Sequence, residues 1–381
     1  MENILKLSED GKVLLEVLDK KVKEVDIPEG IVKIEDGAFE FCNYTLENIH
    51  ISSSVTYIGI WTFIPYPSLT SINVAADNSY FTSVNGILFS KDFKRLIKFP
   101  AKSNIDKYKI PTNVTFIGES AFSSCYIQEI DIPDSVKIIE ETAFAGCCSL
   151  KVIDLPNSIM FIHKDAFWDC KSLQSIDIAE NVKFIGDGAF RGCSSLQEIY
   201  IPSTVKVIGS GVFDSCKSLQ NIYVDSDNSQ YISINGILFA KGEQHLIKYP
   251  EGRKNIEYKI PDNTIIIGYD SFQGCVFLRN INITNNVRCI KEYAFSFSSL
   301  ESIDIPSSVI IIENMAFAFC KSLKTIRFHH KEIEKCEIAD NIFEDIDFEQ
   351  CTLYIPTGTR WAYRHHPAFS KFKNIIPERQ A

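Results

Sequence analysis

IPDSVKIIEETAFAGCCSLKVID, residues Ile132 to Asp154, is one unit of a repeat about 23 residues long. Its successors begin at Leu155, Ile178 and Ile201 and keep the frame without a gap: LPNSIMFIHKDAFWDCKSLQSID, IAENVKFIGDGAFRGCSSLQEIY and IPSTVKVIGSGVFDSCKSLQNIY. Outward from these, the frame gives ten copies, starting at Ile27, Ile51, Ile110, Ile132, Leu155, Ile178, Ile201, Ile260, Ile283 and Ile305. A fixed period of this size marks a solenoid. Each unit buries its apolar side only against its neighbours, so the chain of 381 residues needs no independent domains.

Within a unit, L-x-x-I-x-I alternates like a half-buried strand, with Leu150, Ile153 and Leu155 inward and Val152 and Asp154 outward. Ile-Pro ends it, because proline cannot donate to a ladder. V-x-x-I makes a second short extended stretch. The Ala-Phe pair then inserts a ring at Phe39, Phe63, Phe122, Phe144, Phe167, Phe190, Phe213, Phe272, Phe295 and Phe317, predicting a stacked core spine. Eight of the 12 cysteines (Cys42, Cys125, Cys147, Cys170, Cys193, Cys216, Cys275 and Cys320) stand three residues after that Phe. Stacked repeats would place them about 4.8 Å apart, one strand spacing. A ladder of small, buried, reduced thiols is expected in preference to disulfides or zinc, since no C-x-x-C pair occurs.

Residues 1–26 read as a capping hairpin around Asp10-Gly11, residues 27–327 as the ten repeats, and residues 328–381 as a C-terminal cap. In that cap Trp361, Tyr363, Phe369 and Phe372 are expected to close the core, with one short helix. Two insertions, at about 75–109 and 225–259, are copies of each other: DNSYFTSVNGILFSKDFKRLIKFP from Asp77 and DNSQYISINGILFAKGEQHLIKYP from Asp227. Their offset of 150 also relates Ile51 to Ile201 and Ile110 to Ile260, so part of the chain is a duplicated super-repeat. Asn-Gly followed by I-L-F reads as a β-hairpin, expected to project from the solenoid.

The motif I-P-x-x-V-x-x-I-G-x-x-A-F-x-x-C-x-S-L-x-x-I, nearly entire at Ile201–Ile222, resembles the BspA-type leucine-rich repeat family over about Ile27–Arg327. The resemblance implies a curved right-handed β-rich solenoid, one parallel strand per repeat on the concave face, and little regular helix. It also implies relatives that are mostly secreted or surface proteins of gut and oral bacteria and parasitic protists, several of which bind host matrix or other cells. No basic-then-apolar leader opens MENILKLSEDGKVLLEV, so the chain as written reads as cytoplasmic, or as a surface protein whose leader has been removed.

A net charge of −10 disfavours a nucleic-acid partner. No run of 18 apolar residues predicts a membrane span. The search for chemistry finds no P-loop, H-E-x-x-H or G-x-S-x-G, and no cofactor, metal or catalytic residue is expected. Gly186, Gly188 and Gly192 fall on repeat positions with the wrong dinucleotide spacing. Asp225, Asp227 and Ser229 open like a calcium loop, but Gln230 and Gly236 replace its required Gly and Glu, leaving a turn. His329-His330 and His365-His366 are read as surface histidines.

Two columns remain as candidate surfaces. The outward position of I-x-I carries Asp131, Asp154, Asp177, Tyr200 and Tyr223, an acidic run followed by two aromatic residues. Tyrosine is enriched where proteins touch partners; the plain alternative is a solvated sheet face. The position before the Ile of V-x-x-I is almost wholly apolar: Tyr57, Phe116, Ile138, Phe161, Phe184, Val207, Ile266, Cys289 and Ile311. Exposed, it would be an adhesive stripe; turned inward, more core. The expected function is a non-enzymatic scaffold binding a protein or glycoconjugate through the concave sheet and hairpins. Self-association through the apolar column is the alternative.

Overall fold

The repeats wind into a leucine-rich-repeat β-solenoid, seen in a computed structural model that describes residues 4–63, 67–242 and 244–378. Among the described residues there is one α-helix, Arg360–His365. Contacts divide the chain into two compact units, Met1–Ser195 with Thr204–Val212, and Leu196–Ser203 with Phe213–Ala381.

Each regular repeat contributes two strands. The I-x-I strands pair in parallel and in register, as Val152–Asp154 does with Ser175–Asp177, which buries Ile153 against Ile176 and leaves both aspartates outside. The V-x-x-I stretches are two-residue strands forming a second parallel ladder. In the first unit Phe116, Ile138, Phe161, Phe184 and Val207 follow one another along it. The Ile after each is buried or half-buried, so alternation fixes both ladders' faces.

The Ala-Phe turn depends on two left-handed residues. Thr142 and Gly146 flank Ala143-Phe144, and Asp165 and Asp169 flank Ala166-Phe167, all at positive φ. That region favours Gly and tolerates short polar side chains, the types most repeats hold there. The turn's backbone bonds to the next repeat, with Phe144 N–H donating to Ala166 O and Phe167 N–H to Ala189 O, both at 2.8 Å. Rings Phe122, Phe144, Phe167 and Phe190 therefore stack at successive centroid separations of 5.0, 5.2 and 5.5 Å. In the second unit Phe272, Phe295 and Phe317 stack at 5.0 and 5.2 Å.

All eight ladder cysteines are free and buried. They are more than fillers: the Sγ of Cys147, Cys170 and Cys193 donates to the carbonyls of Phe122, Phe144 and Phe167 at 3.0, 3.1 and 3.2 Å. Each thiol thus satisfies a buried carbonyl of the preceding repeat. Burial pushes Cys42 and Cys320 up to about 11 and raises Cys125 and Cys147 well above the usual thiol range.

The insertions form hairpins as expected, but they do not project. Phe81–Val84, Ile87–Ser90 and Arg95–Lys98 form an antiparallel meander whose last strand joins the V-x-x-I ladder beside Phe116–Ile117. Asn85 and Gly86 are both at positive φ, the requirement of a type I′ turn. The turn is pinned by Ile72 N–H donating to Gly86 O at 2.9 Å, and a Cβ on Gly86 would lie 2.8 Å from the Ser71 Cβ. Asn235-Gly236 repeats the arrangement against Ile222. The physical reason is the apolar I-L-F segment: Ile87, Leu88 and Phe89 are buried and would be exposed in a free hairpin. The insertions even supply spine rings, Phe99 on Phe122 and Tyr249 on Phe272, each at 5.1 Å.

At the N-terminus Leu5–Leu7 and Val13–Val17 form the hairpin that starts the V-x-x-I ladder. At the other end the ladders continue past Arg327. Glu337–Ile338 pairs with Ile311–Ile312, Thr352–Pro356 with Thr325–Phe328, and Phe343 stacks on Phe317 at 5.4 Å. Tyr363, Phe369 and Phe372 are buried in this closing turn; Trp361, expected with them, is 73 % exposed. His330, read as a surface residue, is buried, with Nε2 2.6 Å from Val309 O. Both histidines lie just past strand Thr325–Phe328, and His329 is half-buried.

Candidate functional site

The first unit carries Asp131, Asp154 and Asp177 on the exposed side of the I-x-I ladder. They arise from strands Glu129–Asp131, Val152–Asp154 and Ser175–Asp177, whose central isoleucines are buried. Asp154 and Asp177 are direct register partners. Asp131 is different: strand Lys107–Lys109 lies beside it, and Lys109 Nζ is 2.8 Å from its carboxylate. Lys107 pairs likewise with Glu129 at 2.6 Å. Among the described residues, Asp131 is the one member of the three with an ion-pair partner. A shallow groove of about 650 Å³ runs beside Asp131, Val152 and Asp154.

The second unit carries Tyr200 and Tyr223, register partners on strands Glu198–Ile201 and Asn221–Val224. They are 44 % and 43 % exposed although the strands that bear them bury Ile199 and Ile222. The Tyr200 hydroxyl donates to Asp225 Oδ2 at 2.5 Å, and this bond, with one from Asp227 N–H, holds the Asp225 carboxyl below its usual range. Asp225 Oδ1 accepts from Asp227 N–H at 2.8 Å, which makes this segment the expected turn.

Further along the second unit the same column reads Asn282, Asp304, Arg327 and Tyr354, register partners in order. A groove of about 790 Å³ opens there, with His329 and Glu378 at its wall. The Arg327 guanidinium lies 4.7 Å from the Tyr354 ring centroid and 3.5 Å from Glu378, and His329 Nε2 bonds Asp304 Oδ1. Sequence reasoning missed Tyr354 and Glu378, and read His329 only as a surface histidine, because these follow the last regular repeat. Lys107 and Lys109 were missed because K-Y-K carries Tyr108 where a repeat has Ile. The I-P that follows it at Ile110-Pro111 was the available signal.

Among the described residues one group has metal-ligand spacing: Glu24, Asp26 and His50, with ligand atoms within 4.8 Å of one another on the first I-x-I strands. Glu24 Oε1 lies 2.9 Å from His50 Nε2, a surface side-chain contact. Of the apolar column, Tyr57, Phe161 and Val207 are exposed at 48 %, 38 % and 47 %. Phe116, Ile138 and Phe184 are half-buried, and Cys289 is buried. No described helix is long and apolar enough to cross a membrane.

The sequence profile of the BspA type leucine-rich repeat region matches in 6 copies, over residues 19–107, 97–220 and 249–361. No curated protein sequence matches. Solved structures share the fold, three of them as follows. A leucine-rich cell surface protein from Faecalibacterium prausnitzii is 23% identical with TM-score 0.57, covering 100% of this chain and 94% of its own. The pneumococcal vaccine antigen PcpA is 19% identical with TM-score 0.61, covering 100% and 98%. A leucine-rich repeat protein from Bacteroides ovatus is 24% identical with TM-score 0.50, covering 99% and 96%.

Proposed function

The chain belongs to the BspA-type leucine-rich repeat family, and from that premise we propose a non-enzymatic interaction scaffold that binds a protein or glycoconjugate through the exposed face of its I-x-I ladder. The observation that carries this reading is the Tyr200–Tyr223 pair. Two large rings stand in register on one sheet face, each more than two-fifths exposed. Rigid aromatic area of this kind is the common anchor of protein interfaces. Asp154 and Asp177, beyond the lysine-paired Asp131, give the first unit's face an acidic character, suited to steering a cationic partner surface. Two proteins of like fold are a cell surface protein and a vaccine antigen, which supports a role in adhesion.

The test is binding to a panel of matrix proteins and host glycans, with the unaltered chain beside a Tyr200→Ala/Tyr223→Ala variant. A ligand of the ladder face should lose at least about fivefold in affinity, since truncating aromatic anchors costs more than about 1 kcal/mol. The melting temperature should stay nearly the same, because exposed positions contribute little packing. Unfolding of the variant, or unchanged binding to every ligand found, would place the site elsewhere.

A second reading has one observation in its favour. Phe161 is exposed between half-buried Ile138 and Phe184 on the first unit's V-x-x-I ladder. Such a stripe suits self-association.

A further inference from the structure

The first unit contains a cleft of about 620 Å³ where the V-x-x-I ladder is interrupted by the insertion. The four-stranded sheet that begins at Leu5 ends at Tyr57–Ile58, and the next sheet holds the insertion's strands. Tyr57, Ile60, Phe63, Phe81 and Ile97 line the cleft with apolar surface, and Lys98 lines it too. The volume lies within the range of small-molecule sites, roughly 300–1,000 Å³.

Lys98 is 1 % exposed. Its Nζ donates to Ser120 O at 2.9 Å and to Ser123 Oγ at 3.1 Å. No carboxylate among the described residues lies within ion-pair distance of it. The duplicated super-repeat supplies the control. Lys248 occupies the matching place and donates to Asp270 O at 2.9 Å, the counterpart of Ser120 O. But Lys248 also lies 2.7 Å from Asp214 and 3.8 Å from Glu251. At the positions matching those two acids the first copy has Ile64 and Ala101. One copy holds a buried ion pair; the other keeps the lysine without its counter-ions.

The hydrogen-bond inventory fits a neutral amine. An ammonium has three N–H donors, and a third here would be buried without an acceptor among the described residues. A neutral amine has two donors, both satisfied, and one lone pair. Burial also lowers the Lys98 pKa. A desolvated neutral lysine is a nucleophile of the kind that forms Schiff bases. The cleft's Arg95 is bound to Glu140, and Glu119 and Glu141 add negative charge, so a neutral ligand suits it better than an anion.

We propose that this cleft binds a small apolar aldehyde covalently, with Lys98 as the nucleophile. The Nζ lone pair attacks the carbonyl carbon. A C–N bond forms, the C=O π pair moves onto oxygen, and that oxygen takes up a proton. Loss of that oxygen as water, carrying the two amine hydrogens of which the proton just taken up is one, leaves an imine. The step is a condensation, amine plus aldehyde giving imine plus water, with no oxidant or reductant. The Ser123 hydroxyl, bonded to Nζ, is placed to relay the proton.

The experiment treats the folded protein at pH 7 briefly with hexanal and sodium cyanoborohydride, which reduces an imine to a stable amine, and maps the modified lysines by peptide mass. Lys98 is expected to label at least tenfold faster than Lys248, which is equally buried but ion-paired, and ahead of the surface lysines. Ala101→Glu, which gives Lys98 the acid that Lys248 has, should lower Lys98 labelling at least tenfold. Labelling of Lys98 no faster than Lys248 overturns the proposal, and that comparison needs no variant. Undiminished labelling in folded Ala101→Glu overturns it as well. The outcome is independent of whether the tyrosine pair binds a partner.

Discussion

Replacing Lys98 by Met should stabilise the protein at neutral pH, whereas the same change at Lys248 should destabilise it. Lys98 is buried with two neutral acceptors, and burial lowers its pKa below the ordinary 10.5. As pH falls below 10.5 the unfolded chain takes up a proton that the folded chain refuses. Stability therefore drops by up to about 1.4 kcal/mol per pH unit until the folded-state pKa is reached, and above 10.5 there is no penalty. Methionine avoids the penalty and fills a similar volume, at a packing change under about 1.5 kcal/mol. At Lys248 burial also pulls the pKa down, but Asp214 and Glu251 outweigh it and the net direction is up. Lys248→Met would leave both acids, with side chains 7 % and 5 % exposed, buried without their cation. Breaking such a pair costs about 3–5 kcal/mol. The assay is urea unfolding by circular dichroism at pH 7, 8, 9 and 10, with hydrogen exchange on peptides spanning each lysine, because solenoid repeats can open locally. The advantage of Lys98→Met should be largest at pH 7 and shrink toward pH 10. A Lys98→Met variant less stable than its parent at pH 7, by an amount that does not change with pH, would refute the reasoning.

Thiol titration of the native protein should find Cys148 reacting promptly and Cys336 slowly, since they are exposed and partly exposed, while the ten buried thiols react only after denaturation. Rapid native reaction of eight or more would contradict the ladder. For the apolar stripe, sedimentation at rising concentration should show association that Phe161→Ser weakens at least fivefold; a monomer at every concentration would remove the self-association reading.

The repeat frame was legible because each column does one physical job. The Phe column stacks, the Cys column satisfies a carbonyl, and the Ile columns alternate inward. What was missed lies where a column's job passes to another residue type. Tyr108 holds the place of an Ile in strand Lys107–Lys109, so the lysine beside Asp131 went unseen. Phe99 and Tyr249, in the insertions, and Phe343, in the C-terminal cap, carry the spine outside the ten repeats. Ile338 and Leu353 carry the ladders past Arg327 at altered spacing. The hairpins' docking could have been inferred from their apolar I-L-F run. Which of His329 and His330 turns inward could not, because both lie past the end of strand Thr325–Phe328, where the repeat frame no longer sets a face. Of the candidate site, the register of Tyr200 with Tyr223 and of Asp154 with Asp177 followed from the frame, whereas the pairing of Asp131 depended on a strand outside it.

The duplicated super-repeat narrows where chemistry can reside. Both copies keep the same scaffold: Asn-Gly at the hairpin tip, the I-L-F segment, and L-I-K-[FY]-P leading into the spine. In a fold whose units touch only their neighbours, a residue outside these jobs can change with little effect beyond its own turn. Differences between matching positions are therefore more telling than the shared pattern. Arg95 corresponds to His245, Trp61 to Gly211, Glu119 to Tyr269, and Ala101 to Glu251. These four differences fall in or beside one cleft of the first unit and around the two matching lysines. The two lysines donate to equivalent backbone carbonyls, so position alone does not set their state. The carboxylates do. With Asp214 and Glu251, Lys248 is a charged strut; without counterparts to them, Lys98 is a buried amine with two neutral acceptors beside a cavity. A scaffold copied once and then altered at one lysine's counter-ions can hold a structural ion pair and a reactive group at matching places, which is why Lys98, rather than the motif itself, is the residue to test for chemistry.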